Sequence, residues 1–553
     1  MSARRRLAVV TGGGGGIGAA IAEELGRGGW FVVTLDPLVT LDGSERLPEP
    51  EQTTAGRIVA AGGSARASAV SVTDAEAVRG LFRELTDEHG GVDAVVNVAG
   101  ITRPTFFSQG TEEDWLAVLA VHLGGYLNVL DAALPLMAAA GHGRVLGITS
   151  GSGWRAADAG AYSCAKRAVA ALTWQLGRHV PPGVTVNAMS PIAATRMVAA
   201  ALERARQAGR SGGGGVSFVG MPEPAHIGPL GAHLVGDGFG WCTGRVLFAG
   251  GSEVAVIDEP RLLEVIRSDE VVSLARVLEA VVPRAFAKAE ASQLSDGGGN
   301  ARFGPIFEEP APAELASAHV RSCAVVTDRP GLATSLTTAL EARTITCHRV
   351  EVARGFGDAA RALNAVVATA GPIDAIVVAL ASSRSKGATA TDGWAQILAD
   401  HRGIVEDIHV DAGWARAAGD YAAGAGRPVH LVTLTDAATT GGRSRAQASA
   451  QLARAAAGST DGRVTAFAAS IETPDAAADQ TASDLVAHLL GNPDAAALGG
   501  AELVIGAGWL GLRSHPRPIG SITYGGPHVP DWLDPTLQEI VGVADGPPQR
   551  ELR

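Results

Sequence analysis

Leu7-Ala8-Val9-Val10-Thr11-Gly12-Gly13-Gly14-Gly15-Gly16-Ile17-Gly18 is a short apolar, β-branched run followed by a glycine turn, and from Ala19 to Leu25 the chain reads as a helix. Strand, glycine turn and helix in this order are the context a dinucleotide phosphate loop requires. Glycines allow a tight turn and close backbone approach, and the helix N-terminus presents free N–H groups to a pyrophosphate. Gly12, Gly15, Gly16, Ile17 and Gly18 are the expected cradle. A second strand, Trp30–Leu35, ends in Asp36, whose carboxylate can accept from both ribose hydroxyls of NAD and would repel a 2′-phosphate. No basic residue stands within the glycine loop, so NAD is expected in preference to NADP.

Working outward, Pro37 to Thr54 reads as a loop inserted between strand and helix, and Ala67 to Val72 as a third strand. Thr73-Asp74 then caps a helix. Val92–Val96 reads as a fourth strand, followed by Asn97-Val98-Ala99-Gly100, where small residues let the backbone pass under an adenine ribose. A long helix is expected over Trp115–Met137, and a buried strand from Arg144 ends in the hydroxyl of Ser150. A later strand, Val184–Asn187, runs into Ser190-Pro191. Regular β–α alternation means a parallel sheet with helices on both faces and a ligand beyond the carboxyl ends of its strands. The glycine turn, Asp36, Asn97, Ser150 and Pro191 all fall at such ends.

The Ala-rich, Pro-free run Ala161-Tyr162-Ser163-Cys164-Ala165-Lys166-Arg167-Ala168 reads as a helix. Tyr162 and Lys166, four apart, share a face. An ammonium beside a phenol favours the phenolate, so the Tyr162 pKa is expected to fall, giving an acid/base group usable near neutral pH. Ser150 could hydrogen-bond the same substrate oxygen.

Composition sets outer bounds. At 553 residues the chain exceeds one hydrophobic core, so two domains are expected. A net charge of −12 argues against nucleic acid or an anionic membrane as the main partner. The four cysteines have neither metal-ligand spacing nor a disulfide pattern. No metal is expected, and a reducing cytoplasm suits the chain. Arg4-Arg5-Arg6 precedes a first strand rather than a signal peptide, and no apolar run reads as long enough to span a bilayer.

Thr11-Gly12-x-x-x-Gly16-Ile17-Gly18, Asn97-Val98-Ala99-Gly100, Ser150, Tyr162-x-x-x-Lys166 and Asn187-x-x-x-Pro191 resemble, in order and spacing over residues 1 to 255, the short-chain dehydrogenase/reductase family. The resemblance implies hydride transfer between nicotinamide C4 and a carbinol or carbonyl carbon. Tyr162 would be the general acid/base, Lys166 would bind the nicotinamide ribose, Ser150 would polarise the substrate oxygen, and Thr195 would hold the carboxamide. Ala99, Gly100, Pro191 and Ile192 would line the cofactor. Ile192 stands where the family usually has glycine. His122 occupies the position of the family's usual catalytic asparagine, as a substitute or through its backbone carbonyl alone. Ser71, with Val72 beside it, replaces an adenine-side aspartate. Ser152 is a second candidate for the substrate hydroxyl. In the family the segment Arg196–Ile227, with its glycines at 212–215, caps the substrate.

The second half repeats the pattern. Ala8–Thr11 recurs as Ala324–Thr327, Val92–Val96 as Ile373–Val377, and Val145–Thr149 as Val429–Thr433. Its chemistry is missing: the glycine turn has become Thr327-Asp328-Arg329-Pro330-Gly331, and no Tyr-x-x-x-Lys follows Thr433. The fold class expected is α/β, two Rossmann-like doubly wound parallel-sheet domains in tandem. A catalytic domain would span 1–295 (core 1–255 plus a helical extension), a linker 296–317, a degenerate non-catalytic copy 318–515, and a tail 516–553 that wraps the surface or reaches over the first copy's cleft. The second copy is expected to replace a partner subunit as an intramolecular pseudo-dimer, with further homodimerisation open. The activity expected is NAD-dependent interconversion of a small secondary alcohol and a ketone. The alternatives are a 3-hydroxyacyl-CoA dehydrogenase, as in multifunctional β-oxidation enzymes, and a non-catalytic NAD-binding sensor or structural protein.

Overall fold

A computed structural model describes residues 4–105, 107, 109–155, 160–207, 221–267, 274–293, 319–382, 390 and 392–545. The expected linker at 296–317 and the glycines of the expected cap lie outside them. Strands β1 (Leu7–Thr11), β2 (Phe31–Leu35), β3 (Ser64–Ser68), β4 (Ala94–Asn97), β5 (Gly143–Ile148), β6 (Val184–Pro191), β7 (Val246–Gly250) and β8 (Glu253–Asp258) form the body of a first sheet. Strands β9 (Leu262–Arg267), β10 (Ser322–Thr327), β11 (Thr346–Arg349), β12 (Ala375–Ala379), β13 (Val429–Asp436), β14 (Val464–Ile471), β15 (Glu502–Gly506) and β16 (Trp509–Arg513) form a second, and β17 (Arg517–Thr523) returns to the first. The orders are β17-β8-β7-β6-β5-β4-β1-β2-β3 and β11-β10-β12-β13-β14-β15-β16-β9. In the first sheet β1 pairs in parallel with both β2 and β4. The strand order therefore reverses at the C-terminal end of β1, the place where α/β sheets open a ligand crevice.

Every residue of β1 is buried, because helices cover both faces. Leu7 and Val9 enter one core and Ala8 and Val10 the other, the two-residue period of a strand. The first of these cores does not stop at the lobe boundary. Trp115, Leu119, Ala165 and Ala168 share it with Ile404, Ile408, Ala412, Ala448 and Leu452 of the second lobe. Alanines on the Gly160–Leu176 and Thr440–Ser459 helices let these two elements pack closely, and the Trp115 and Phe356 rings meet edge-on at 5.7 Å.

The lobes also exchange edges, which redraws the expected boundaries. The segment after β8 does not extend the first domain: β9 pairs antiparallel with β16, and Leu274, Leu278, Val282 and Phe286 enter the second lobe's core. The tail is not a surface wrap. Its β17 pairs antiparallel with β8, and Leu533 and Leu537 are buried in the first lobe, fastened by a hydrogen bond between His233 Nε2 and Asp534 Oδ1 at 2.7 Å. Each added strand covers a sheet edge that would otherwise offer unpaired backbone groups.

Three further expectations change. The third strand is Ser64–Ser68, not 67–72, because Gly62-Gly63 end the preceding helix and the strand starts at once on a half-exposed edge that needs no apolar run. Ladder register pairs Ala94 with Arg144 and Ala375 with His430, so the repeat is displaced by two residues and Asp436 stands at the Ser150 position. One helical run, Glu112–Ala140, is by length and composition alone long and apolar enough to cross a membrane, yet more than half of its most apolar stretch is buried within the protein.

Candidate active site

The glycine turn is shaped by its contacts. Gly12 has φ +64°, donates to the Leu35 carbonyl at 2.7 Å, and a Cβ there would lie 2.8 Å from Ala99 N. A Cβ on Gly18 would lie 2.3 Å from the Gly12 carbonyl oxygen. Only glycine fits either position. Thr11 Oγ1 donates to Asn97 Oδ1 at 2.9 Å and accepts from Ala99 N at 3.1 Å. Asn97 is thus buried beneath the turn as a support, and Ala99 and Gly100 lie on the rim. The Gly16–Arg27 helix starts at Gly15 with no side-chain cap and no acid in its first turn. Its first N–H groups are without side-chain acceptors and suit a pyrophosphate. The residues therefore fit a dinucleotide.

Asp36 stands at the end of β2, where its carboxylate accepts from Gly14 N at 3.0 Å and Leu38 N at 2.9 Å. The inserted loop begins at this anchor, and its Leu41 carbonyl accepts from Thr102 N at 2.8 Å beside the Ala99–Gly100 rim. Val72 lies beyond the end of the third strand. Its side chain is buried against Gly125 and its carbonyl accepts from Asn128 at 2.9 Å, because the third strand ends before it. Pro191 ends β6, Ile192 donates to the Ala249 carbonyl, and Thr195 Oγ1 accepts from Val198 N at 3.2 Å as the cap of the next helix. Arg196, missed in the sequence, lies over the turn: its guanidinium is 3.4 Å from where a Gly15 Cβ would be. Its place directly after Thr195 was the available signal.

Ser150, Tyr162, Lys166 and His122 come together at the end of β5. Ser150 caps a 3₁₀ turn, Gly151–Gly153, and accepts from Ser152 Oγ at 3.1 Å, so Ser152 backs Ser150 rather than replacing it. Ser150 also hydrogen-bonds the Tyr162 phenol. The expected drop in the Tyr162 pKa is not found. Burial raises it, with Ser150 opposing. The lysine does not offset this. Its Nζ is 5.6 Å from the Tyr162 ring centroid and donates to the Ile148 carbonyl at 2.6 Å. Burial also lowers its own pKa to about 7, which weakens its positive charge near neutrality.

His122 lies in a π turn, Ala120–Gly124, of the kind that often marks a functional helix position. Its Nε2 is 2.8 Å from the Ile101 carbonyl oxygen, and its ring meets the Tyr162 ring edge-on at 4.9 Å. Burial and then the Lys166 charge push its pKa down to about 3, so it is neutral. Nδ1 has no hydrogen-bond partner among the described residues. His122 therefore braces Tyr162 and the Ile101 peptide and makes no hydrogen bond to Lys166.

The profile of the short chain dehydrogenase family matches residues 6–206. The short-chain reductase protein NovJ of Streptomyces niveus is 36% identical over 200 residues, 36% of this chain and 73% of its own. This chain belongs to the short-chain dehydrogenase family. Acetoacetyl-CoA reductase of Allochromatium vinosum is 33% identical over 245 residues, 44% of this chain and 96% of its own. Both lobes together resemble the crystal structure of the N-domain, with NADP, of a bacterial malonyl-CoA reductase. It covers 91% of this chain and 97% of that one, with TM-score 0.63 and 15% identity, a likeness of fold. As a short-chain dehydrogenase the chain is an oxidoreductase that uses a nicotinamide dinucleotide.

Proposed function

We propose that the first lobe interconverts a secondary alcohol and a ketone with NAD(H), and that the second lobe is a non-catalytic copy standing where a partner subunit would otherwise pack. The observation that carries this reading is the Ser150–Tyr162 hydroxyl pair at the end of β5 with Lys166 one helical turn along. When bound, the nicotinamide supplies or accepts the hydride. Ser150 donates to the substrate oxygen and polarises the carbonyl. Tyr162 moves the proton at that same oxygen. The same hydroxyl serves as donor in reduction and as acceptor in oxidation. Asp36 at the ribose end supports NAD over NADP. In the second lobe Asp328 puts a carboxylate directly after the first strand, accepting from Ala381 N at 2.9 Å, and the next helix opens with Pro330, which has no N–H to offer a phosphate.

A 3-oxoacyl thioester is a second reading, supported by the acetoacetyl-CoA reductase relative. Nucleic acid and membrane are not proposed as partners. A cytoplasmic location and further homodimerisation are proposals alongside. The deciding assay follows oxidation of NADH and of NADPH with acetoacetyl-CoA and with a simple methyl ketone. The proposal predicts turnover with NADH and at least tenfold lower kcat/KM with NADPH. No turnover of either carbonyl, or a preference for NADPH, overturns it.

A further inference from the structure

The catalytic helix carries Arg167 immediately after Lys166, fully buried and directed into the second lobe. Its Nη2 pairs with Glu502 Oε2 at 2.8 Å and its Nε donates to Gln447 Oε1 at 3.0 Å. Nη1 points at Gln451 Oε1, 3.4 Å away. Gln451 is 1% exposed, and its Nε2 donates to two first-lobe carbonyls, Ser152 at 3.1 Å and Arg155 at 2.8 Å. This amide has one workable orientation. A guanidinium cannot accept and a carbonyl cannot donate, so the oxygen must face Arg167 and the nitrogen the loop. Gln447 and Gln451, four apart, share one helical face.

The held carbonyls belong to the turn that bears Ser150. Ser152 donates to Ser150 Oγ through both its amide (3.3 Å) and its hydroxyl (3.1 Å), and Gly153 N donates to the Ser150 carbonyl at 2.9 Å. The turn contains Gly151 and Gly153, so its own sequence restrains it little. It rests closely on the catalytic helix, where a Cβ on Gly153 would lie 2.9 Å from Arg167 N. A line of polar contacts thus runs from Glu502 through Arg167, Gln451 and Ser152 to Ser150 and Tyr162.

We propose that Gln451 is a positioning residue through which the second lobe sets the Ser150 turn against Tyr162. The inference rests on the reading of Ser150 and Tyr162 as the reacting pair and adds that the first lobe's site is incomplete without the second. The test uses the full chain with Gln451→Leu, which fills similar space without donors, and Gln451→Asn, which is one methylene shorter. Three quantities are read: hydrogen exchange of the peptide spanning 150–155, NADH affinity, and kcat for acetoacetyl-CoA reduction. Gln451→Leu is expected to speed exchange of the 150–155 amides at least tenfold and lower kcat at least tenfold, with NADH affinity changed less than twofold. Gln451→Asn should fall between it and the natural chain, and it keeps the test open if Gln451→Leu does not fold. A space-filling role alone would lower the melting temperature and leave exchange at 150–155 and kcat unchanged. That result, in either variant, overturns the inference. Tyr162→Phe is run in parallel. If it turns over normally, the catalytic reading fails by itself, while the exchange data still decide whether Gln451 holds the turn.

Discussion

Lys166 Nζ donates to the Ile148 carbonyl at 2.6 Å and does not hydrogen-bond the Tyr162 phenol. The lysine is tied to the end of β5, the strand that carries Ser150. Burial rather than a neighbouring charge dominates its ionisation and brings its pKa to about 7 from 10.5.

Lys166→Met should therefore stabilise the protein near neutral pH while abolishing turnover. Below about pH 7 the lysine is charged in both folded and unfolded chains, and folding carries the whole desolvation cost. Between about pH 7 and 10.5 the unfolded chain holds a proton that the folded chain has released, so stability rises with pH. The substitution should add about 1–3 kcal/mol at pH 6.5, after discounting the lost Ile148 hydrogen bond, and the gain should shrink by pH 9.5. Urea unfolding at the two pH values checks this, and equal gains at both would contradict it.

A Cβ on Gly100 would lie 2.4 Å from His122 Cε1. Gly100→Ala should cost about 1–3 kcal/mol of stability by overpacking, and much less in a His122→Ala background. A double-mutant cycle by denaturant unfolding measures the coupling. Strictly additive costs would show that His122 does not press on the Asn97–Gly100 rim.

Arg167 and Glu502 form a buried pair across the lobes, 0% and 5% exposed at their side chains. Glu502→Gln leaves the guanidinium uncompensated and should cost about 3–5 kcal/mol. Arg167→Met with Glu502→Gln should recover most of that. If the single and double variants unfold at the same denaturant concentration, the pair does not hold the lobes together.

Removing residues 516–553 strips β17 from β8 and takes Leu533 and Leu537 out of the first lobe. The truncated chain should melt at least about 5 °C lower, and exchange in Glu253–Asp258 should rise, because a sheet edge and a core face are uncovered. Unchanged exchange at β8 would refute the strand assignment.

Much of this architecture was legible because it is local. The β-branched runs, the glycine turn and the capping of the helix after Asp74 are written into neighbouring residues, and so is the helix that sets Tyr162 one turn from Lys166. The edge exchange was not, since β9 and β17 are ordinary short strands whose partners, β16 and β8, lie about 245 and 265 residues away in sequence. The third strand was misplaced for a nearer reason: a half-exposed edge strand such as Ser64–Ser68 carries no apolar run to mark its ends. The pKa of Tyr162 was misjudged because residue spacing reports which groups share a face but not how deeply they are buried. Gln451 gave no motif at all. A glutamine on a polar-looking helix becomes informative only when the carbonyls of Ser152 and Arg155 are found against it.

The central claim, that the Tyr162 hydroxyl moves the substrate proton in the first lobe, is tested most directly by Tyr162→Phe in the full chain, with carbonyl reduction and NADH binding measured on the same preparation. The expected result is a fall in kcat of about 10²–10⁴-fold with NADH bound nearly as tightly as before. Turnover unchanged in a variant that still binds NADH would contradict it.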